Sequence, residues 1–504
     1  MSMNNILQYA VNFIKQNKLV VLFFIAIAVL RLWKVPEFFS FNFDEEYQAS
    51  MAWQQVKDFH PIWIGVSASN IEYYLGPGFT YLNALLFKIS SGDPVILAWF
   101  SSFLGLVTTG SIYYVTKKLF GKNPALIAMT IYGASAFLIF FDRRFWNPTP
   151  IPFITVWLIY SLIKGSKNSR WYLLTIALYA AFYHVHLSLM LFVPIIAAVL
   201  FFDRKKIQLK KWLSMVGIFY TITLPLLVFD FVHNFDNMLG PIKYIFDNSN
   251  GAQATTMTTI NAHIYTMLSA LGKIWFMKLG TTIQDEHCLS SHCFISEPPW
   301  ILVLASLILL GLFIRTAIQK KDRKHIVLLS GILTYAGVFT FYSGYAAEYF
   351  LLAWYVMLSI AFGIVLSKLP TKLYLPILAV FVIANGVLIY SSKQEQYGLL
   401  TRKQLVKEIM PYIGDKPFEL ETYGTDPRRY HSYGGWRFLF KAYGETPVRS
   451  FADEAFGWIY PDELTGKEPV YRVVVTDTMQ YKSTEKPIET FKNGAYYGYV
   501  FKNK

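Results

Sequence analysis

The chain has 504 residues, 54% of them hydrophobic and only 15% charged, and a mean hydropathy of +0.36. Soluble globular chains carry about a quarter charged residues, so a soluble enzyme is excluded. The net charge of +14 would suit a nucleic acid, but its placement along the chain assigns it to membrane topology instead.

Apolar runs of about twenty residues, the length of a bilayer-crossing helix, recur along the sequence. Eleven spans are expected, at 19–35, 93–115, 124–141, 149–165, 170–186, 187–203, 211–231, 298–316, 325–343, 347–367 and 372–392. The first lacks a small-residue cleavage site and is expected to stay as an anchor. With the N-terminus inside, the inner segments read KKLFGK, KGSKNSR, DRKKIQLKK, RTAIQKKDRKH and SKLPTK. Together with Lys15 and Lys18 they hold twenty Lys or Arg against two acids, Asp203 and Asp322. That is the positive-inside bias. The fold class expected is a polytopic α-helical membrane protein. Residues 1–392 form the membrane part, and 393–504 form a small extracytoplasmic α/β domain. No internal repeat or inverted pseudo-symmetry is visible.

The long segments, 36–92, 232–297 and 393–504, fall on the outer face. The first opens with SFNFDEEYQA, three consecutive acids just past the first span. One account is a helix start, with Asp44 as cap and Glu45 and Glu46 in the first turn near the positive end of the dipole. The other is a catalytic or metal-binding acid pair, because a carboxylate at a membrane edge is costly to desolvate and faces water or a partner. The spacing of Tyr47, Met51 and Val56 suggests a helix lying along the interface. The run YLGPGFTYLNALLFKI is short and reads as a re-entrant or interfacial helix. The run TTINAHIYTMLSALGKIWFMKLG, with Lys273 and Lys278, is placed on the bilayer surface.

Polar residues gather at the outer ends of spans. FFDRRFWNPTPIPF puts Arg143 and Arg144 where the inside rule does not want them. Snorkelling to headgroups is one account. A phosphate site is the other, since arginine forks bind phosphate oxygens in pairs. Pro148 and Pro150 start the next helix, with Asn147 placed to cap it. YHVHLS adds His184 and His186, VFDFVHNFDN adds Asp230, His233 and Asp236, and GYAAEYF adds Tyr345, Glu348 and Tyr349. Together they could line one cavity open to the outer leaflet, suited to an anionic lipid and a polar acceptor. Cys288 and Cys293 share one outer loop, DEHCLSSHC. A disulfide is expected there, with zinc held by His287 and His292 as the rival.

In the tail, TRKQLVKEIMPYI sets Leu405, Val406, Ile409 and Ile413 on one helical face. PFELETYG, YRVVVTDT and GAYYGYVF read as strands. About 110 residues suffice for a small domain.

Asp44-Glu45 with Tyr47 and Ala49, then GPGFTYLNALLF, RRFWNPTPIPF and PLLVFDFVHNFDN, resemble in order the GT-C glycosyltransferases of family 39, the protein O-mannosyltransferases and aminoarabinose transferases. The resemblance covers about residues 19–392. It implies transfer of a sugar from a polyprenyl-phosphate donor to a glycan, lipid or protein acceptor at the outer face of a plasma membrane, with inversion. It makes Asp44 the general base or acceptor-orienting group, with Glu45 behind it or on a divalent metal ion. Arg143 and Arg144 would hold the donor phosphate. Glu46, Asn147, His184, His186, Asp230, His233, Tyr345 and Glu348 are the remaining candidates for substrate contact. Two departures are Glu46, where relatives often carry a small residue or proline, and the lack of an acid just after Arg144. The rival class is a lipid or polysaccharide transporter or flippase, which usually shows inverted repeats and broken midplane helices.

Overall fold

The computed structural model describes residues 8, 14–68, 73–247, 256–277, 298–342, 347–423, 434–477, 481, 483 and 485–503. Helices occupy all eleven apolar stretches: Lys18–Leu32, Val95–Phe120, Lys122–Ala134 continued by Ala136–Phe141, Ile151–Gly165, Trp171–Val185, Leu187–Lys206, Leu209–Val232, Trp300–Lys320, Arg323–Phe341, Glu348–Leu366 and Thr371–Tyr390. Seven helices among the described residues are long and apolar enough to cross a membrane. Glu348–Leu366 is the centre of the bundle, 83% buried, and Leu209–Val232 is its rim, 22% buried.

One end of the bundle collects the basic loops. Lys122 donates to the Gln16 carbonyl, Lys324 to the Leu119 carbonyl and Lys368 to Thr316. Arg323 pairs with Asp203 at 2.7 Å and donates to the Tyr172 hydroxyl. These bonds tie neighbouring short loops together, and the one from Lys324 satisfies a carbonyl in the last turn of Val95–Phe120.

The segment 36–92 forms two helices, Phe43–Lys57 and Gly78–Ser90, packed on each other. The first does not lie on a surface with one greasy side. Tyr47 and Met51 pack toward Phe456 and Tyr73, while Val56 packs into a separate core with Phe87 and Leu405. Five residues turn an α-helix by about 140°, so Met51 and Val56 cannot share a face. Gly78–Ser90 has 13 residues, too few to cross as helix. The helix Met257–Lys273 has 17 residues and is not among the seven helices long and apolar enough to cross. From Ser269 to Lys273 it is buried among the other helices.

The tail is a five-stranded sheet in the order β2-β1-β3-β5-β4. The strands are β1 (Phe418–Tyr423), β2 (Arg449–Ser450), β3 (Tyr471–Thr476), β4 (Glu489–Asn493) and β5 (Tyr496–Lys502). β1 runs parallel to β2 and β3, while β5 is antiparallel to both β3 and β4. The helix Leu399–Ile413 packs on the sheet, with Leu405, Val406, Ile409 and Ile413 all buried as its periodicity requires. That core is continuous with the outer segment: Val35, Phe39, Phe41 and Phe87 belong to the same apolar cluster as Leu399, Trp436, Phe438 and Val473.

Candidate active site

The helix carrying the acids starts because Asn42 caps it, not Asp44. The Asn42 N–H donates to Glu45 Oε2 at 3.0 Å, the returning arm of a capping box. Asp44, Glu45 and Glu46 therefore occupy successive positions of the first turn, about 100° apart around the axis. They point to three different partners.

Asp44 accepts from Arg144 Nη2 at 2.9 Å and keeps its side chain 37% exposed. Glu45 is fully buried and takes Arg144 with both oxygens, Nε to Oε1 at 2.7 Å and Nη2 to Oε2 at 3.2 Å. Glu46 is buried away from both. It accepts from the backbone N–H of Gly435 at 2.8 Å and of Phe438 at 2.9 Å, at the start of the tail helix Trp436–Tyr443. Burial raises the Glu46 carboxyl above its usual range, and those two N–H groups oppose the rise. Burial also works against the Arg144 cation, but Glu45 and Asp44 outweigh it and hold its pKa above the usual value. Arg144 Cζ lies over the Trp146 ring, 4.0 Å from its centre.

The other arginine turns away. Arg143 Nη2 donates to the carbonyls of Leu30 and Trp33, and its neighbour Asp142 forms a buried ion pair with Arg31. Consecutive residues in a tight turn diverge, so the pair does not form one fork toward a common ligand.

From Arg144 a line of rings continues. Trp146 meets Tyr349 edge-on at 4.8 Å, and Tyr349 meets His186 at 5.6 Å. His186 Nδ1 accepts from the Ser188 N–H. Next to Tyr349, Glu348 forms a 2.6 Å ion pair with Lys273. Asn147 does not cap a helix. Its Nδ2 donates to the Val185 carbonyl, and Pro150 precedes the helix Ile151–Gly165. His184 is fully engaged: Nδ1 accepts from the Gly78 N–H at 3.1 Å and Nε2 bonds the Ile222 carbonyl at 2.8 Å. Gly76 lies so close that a Cβ there would stand 2.2 Å from His184 Nδ1. Asp230 accepts from the Met238 N–H, and exposed His233 stacks on Phe229 at 4.0 Å. The described contacts join Asp44, Glu45, Arg144 and His186 into one series through Trp146 and Tyr349. Glu348 is the chain neighbour of Tyr349 but turns to Lys273, and Asp230 and His233 are not joined to the series. Tyr345, Cys288 and Cys293, with the zinc reading of His287 and His292, lie outside the described residues.

Glu45 as it stands has no oxygen without a partner to offer a metal ion. Both Glu45 oxygens serve Arg144, and one also serves Asn42. Among the described residues no three His, Cys, Asp or Glu group as ligands.

Sequence reasoning passed over Arg402, Lys273 as a buried partner, Trp146 and Asn42. A signal for Arg402 was present. It occupies the position i of the apolar stripe continued by Leu405, Val406 and Ile409, where a cation must be buried and bonded.

The family model for dolichyl-phosphate-mannose-protein mannosyltransferase matches residues 75–229. No curated protein matches the sequence. The structure superposes on the crystal structure of ArnT from Cupriavidus metallidurans bound to undecaprenyl phosphate with a TM-score of 0.62, at 12% identity, covering 95% of this chain and 97% of that one. The fold is that of a GT-C glycosyltransferase. The apo form of the same ArnT gives a TM-score of 0.62 at 11% identity, with the same coverage of both chains. The oligosaccharyltransferase AglB from Archaeoglobus fulgidus, in complex with an inhibitory peptide and a dolichol-phosphate, gives 0.47 at 12% identity over 92% of this chain and 70% of that one. The chain is a multi-pass membrane protein, and its three acids sit on the segment between the helices Lys18–Leu32 and Val95–Phe120.

Proposed function

We propose that this GT-C protein transfers a sugar from a polyprenyl-phosphate donor to a hydroxyl-bearing acceptor at the outer face of a plasma membrane. Residues 1–392 carry the chemistry, and 393–504 form the extracytoplasmic domain. The observation that carries the reading is Asp44: it is the one acid of the triplet with an exposed side chain, and it is held in place by Arg144. The likeness to ArnT, described as bound to undecaprenyl phosphate, supports the donor class. The match to a mannosyltransferase family model supports transfer over the transporter reading.

In this reading the acceptor oxygen attacks the anomeric carbon from the face opposite the phosphate. Asp44 takes the hydroxyl proton. The bond from the anomeric carbon to the phosphate oxygen breaks, inverting the centre, and the lipid phosphate leaves with the electron pair. Arg144 orients Asp44, and its cation beside the acid would favour the charge that grows on the phosphate. Arg143 faces the Leu30 and Trp33 carbonyls and acts on that charge only at a distance. Tyr349 and His186 continue from Arg144 through Trp146 and are candidates for substrate contact, with Glu348 beside Tyr349 in the chain.

The test uses purified protein in nanodiscs with a panel of undecaprenyl-phosphate sugars (mannose, glucose, aminoarabinose). Asp44→Asn should lower sugar release about 10²–10⁴-fold, with undecaprenyl phosphate still bound. Normal turnover by this variant would end the assignment.

A further inference from the structure

Arg402 belongs to the tail but binds the start of the acidic helix. It is 1% exposed. Its Nη1 donates to the Phe41 carbonyl at 2.7 Å and to the Gly434 carbonyl at 2.8 Å. Its Nη2 donates to Asn42 Oδ1 at 2.9 Å, and Nε and Nη2 both reach the Tyr496 hydroxyl. The guanidinium carbon lies 5.0 Å from the centre of the Trp436 ring and 4.9 Å from that of Tyr496. Glu46 answers in the other direction, reaching from the acidic helix to the N–H groups of Gly435 and Phe438. The two backbones are in contact. Gly435 has φ +96°, and a Cβ there would stand 2.2 Å from the Phe41 carbonyl oxygen.

Docking alone does not require this cation. The shared apolar cluster, with Phe39, Phe41 and Phe87 against Leu399, Leu405 and Trp436, already holds the tail against the outer segment. What apolar packing lacks is direction, and a fork with five fixed donors supplies it. The hydrogen bonds also lead to the chemistry. Arg402 holds Asn42, Asn42 holds Glu45, and Glu45 shares Arg144 with Asp44.

We propose that Arg402 is a positioning residue, through which the C-terminal segment sets the register of the acidic helix and so the aim of Asp44. This rests on the transfer chemistry assigned to Asp44. The tail is then part of the catalytic assembly, a role that a recruitment module would not have. Lysine keeps the charge but has one nitrogen on a flexible stem and cannot serve Phe41, Asn42, Gly434 and Tyr496 together.

The test uses the full chain in nanodiscs. Hydrogen exchange is followed at residues 43–47 and at strands β3 and β5, and sugar release is measured from the same undecaprenyl-phosphate panel. Arg402→Lys should speed exchange at 43–47 at least tenfold, leave β3 and β5 protected, and lower turnover at least tenfold at unchanged affinity for undecaprenyl phosphate. Asn42→Ala removes the Arg402–Asn42 bond and, with it, the side-chain cap of the acidic helix, and should also speed exchange at 43–47 and lower turnover while β3 and β5 stay protected. Native exchange at 43–47 in both variants overturns the proposal. So does exchange that rises equally in β3 and β5, which would mark plain unfolding of the tail. If Asp44→Asn turns over normally while Arg402→Lys loosens 43–47, the chemistry of Asp44 falls and the mechanical link survives.

Discussion

Three adjacent carboxylates can do three jobs because a helix fans neighbours apart. Asp44 meets water, Glu45 fixes Arg144, and Glu46 caps a helix that follows 389 residues later. Glu46 gives the sharpest stability test at this scale. Glu46→Ala removes the acceptor of two buried N–H groups, and each unsatisfied group costs about 1–3 kcal/mol. The thermal midpoint in detergent should fall, and proteolysis should start in the tail. An unchanged midpoint would mean that water replaces the carboxylate without loss. The sequence showed that the triplet starts a helix, since acids favour a first turn. It did not show who caps it, because Asn42 and Asp44 are equally good cap types. Nor could it show the fate of Glu46, whose partners are backbone groups with no signature. The arginines posed the opposite problem. Arg143 and Arg144 are one residue type at adjacent positions, and only the turn's geometry separates their partners.

The elements of the bundle were legible because hydropathy and length suffice for them, and the stripe at Leu405, Val406, Ile409 and Ile413 was legible by period. β2, with two residues, and β4, an exposed strand read as ETFKN, carry too little apolar pattern to be seen. The helix Met257–Lys273 was expected on the bilayer surface because counting it as a span would move the tail inside and invert the charge bias. Its last turn is buried in the protein, where Lys273 meets Glu348, 75 residues on. That pair now makes a prediction between two elements. Lys273→Met leaves a carboxylate buried without its cation, which costs about 3–5 kcal/mol. Lys273→Met with Glu348→Gln removes both charges and should recover most of the loss. Thermal unfolding of the two single variants and the double variant checks this. Additive losses would mean that the two groups do not interact. A steric prediction stands beside it. Gly76→Ala would push a methyl group into the His184 ring, and overpacking of this kind costs about 1–3 kcal/mol. The Gly78–His184 bond should break with it, and the His184 ring signals in NMR would report the change.

At the scale of the molecule, charge decides which end is which. The inner segments hold twenty Lys or Arg and two acids, and the structure gathers those loops at one end through Lys122, Lys324, Lys368 and Arg323. The acidic helix and the tail dock together away from them, joined by Arg402, Glu46 and the Asp93–Lys403 pair at 3.0 Å. Short basic loops stay in the cytoplasm because translocating Lys and Arg is disfavoured. The basic end should therefore be inside, and the tail with Asp44 outside. Single cysteines at Lys320→Cys and Asn503→Cys, in a chain with Cys288 and Cys293 changed to Ser, test this in intact cells. A membrane-impermeant maleimide should label position 503 directly and position 320 only after permeabilisation. Labelling of both in intact cells, or of neither, would break the odd number of spans. It would also remove Asp44 from the face where the lipid donor is proposed to meet its acceptor.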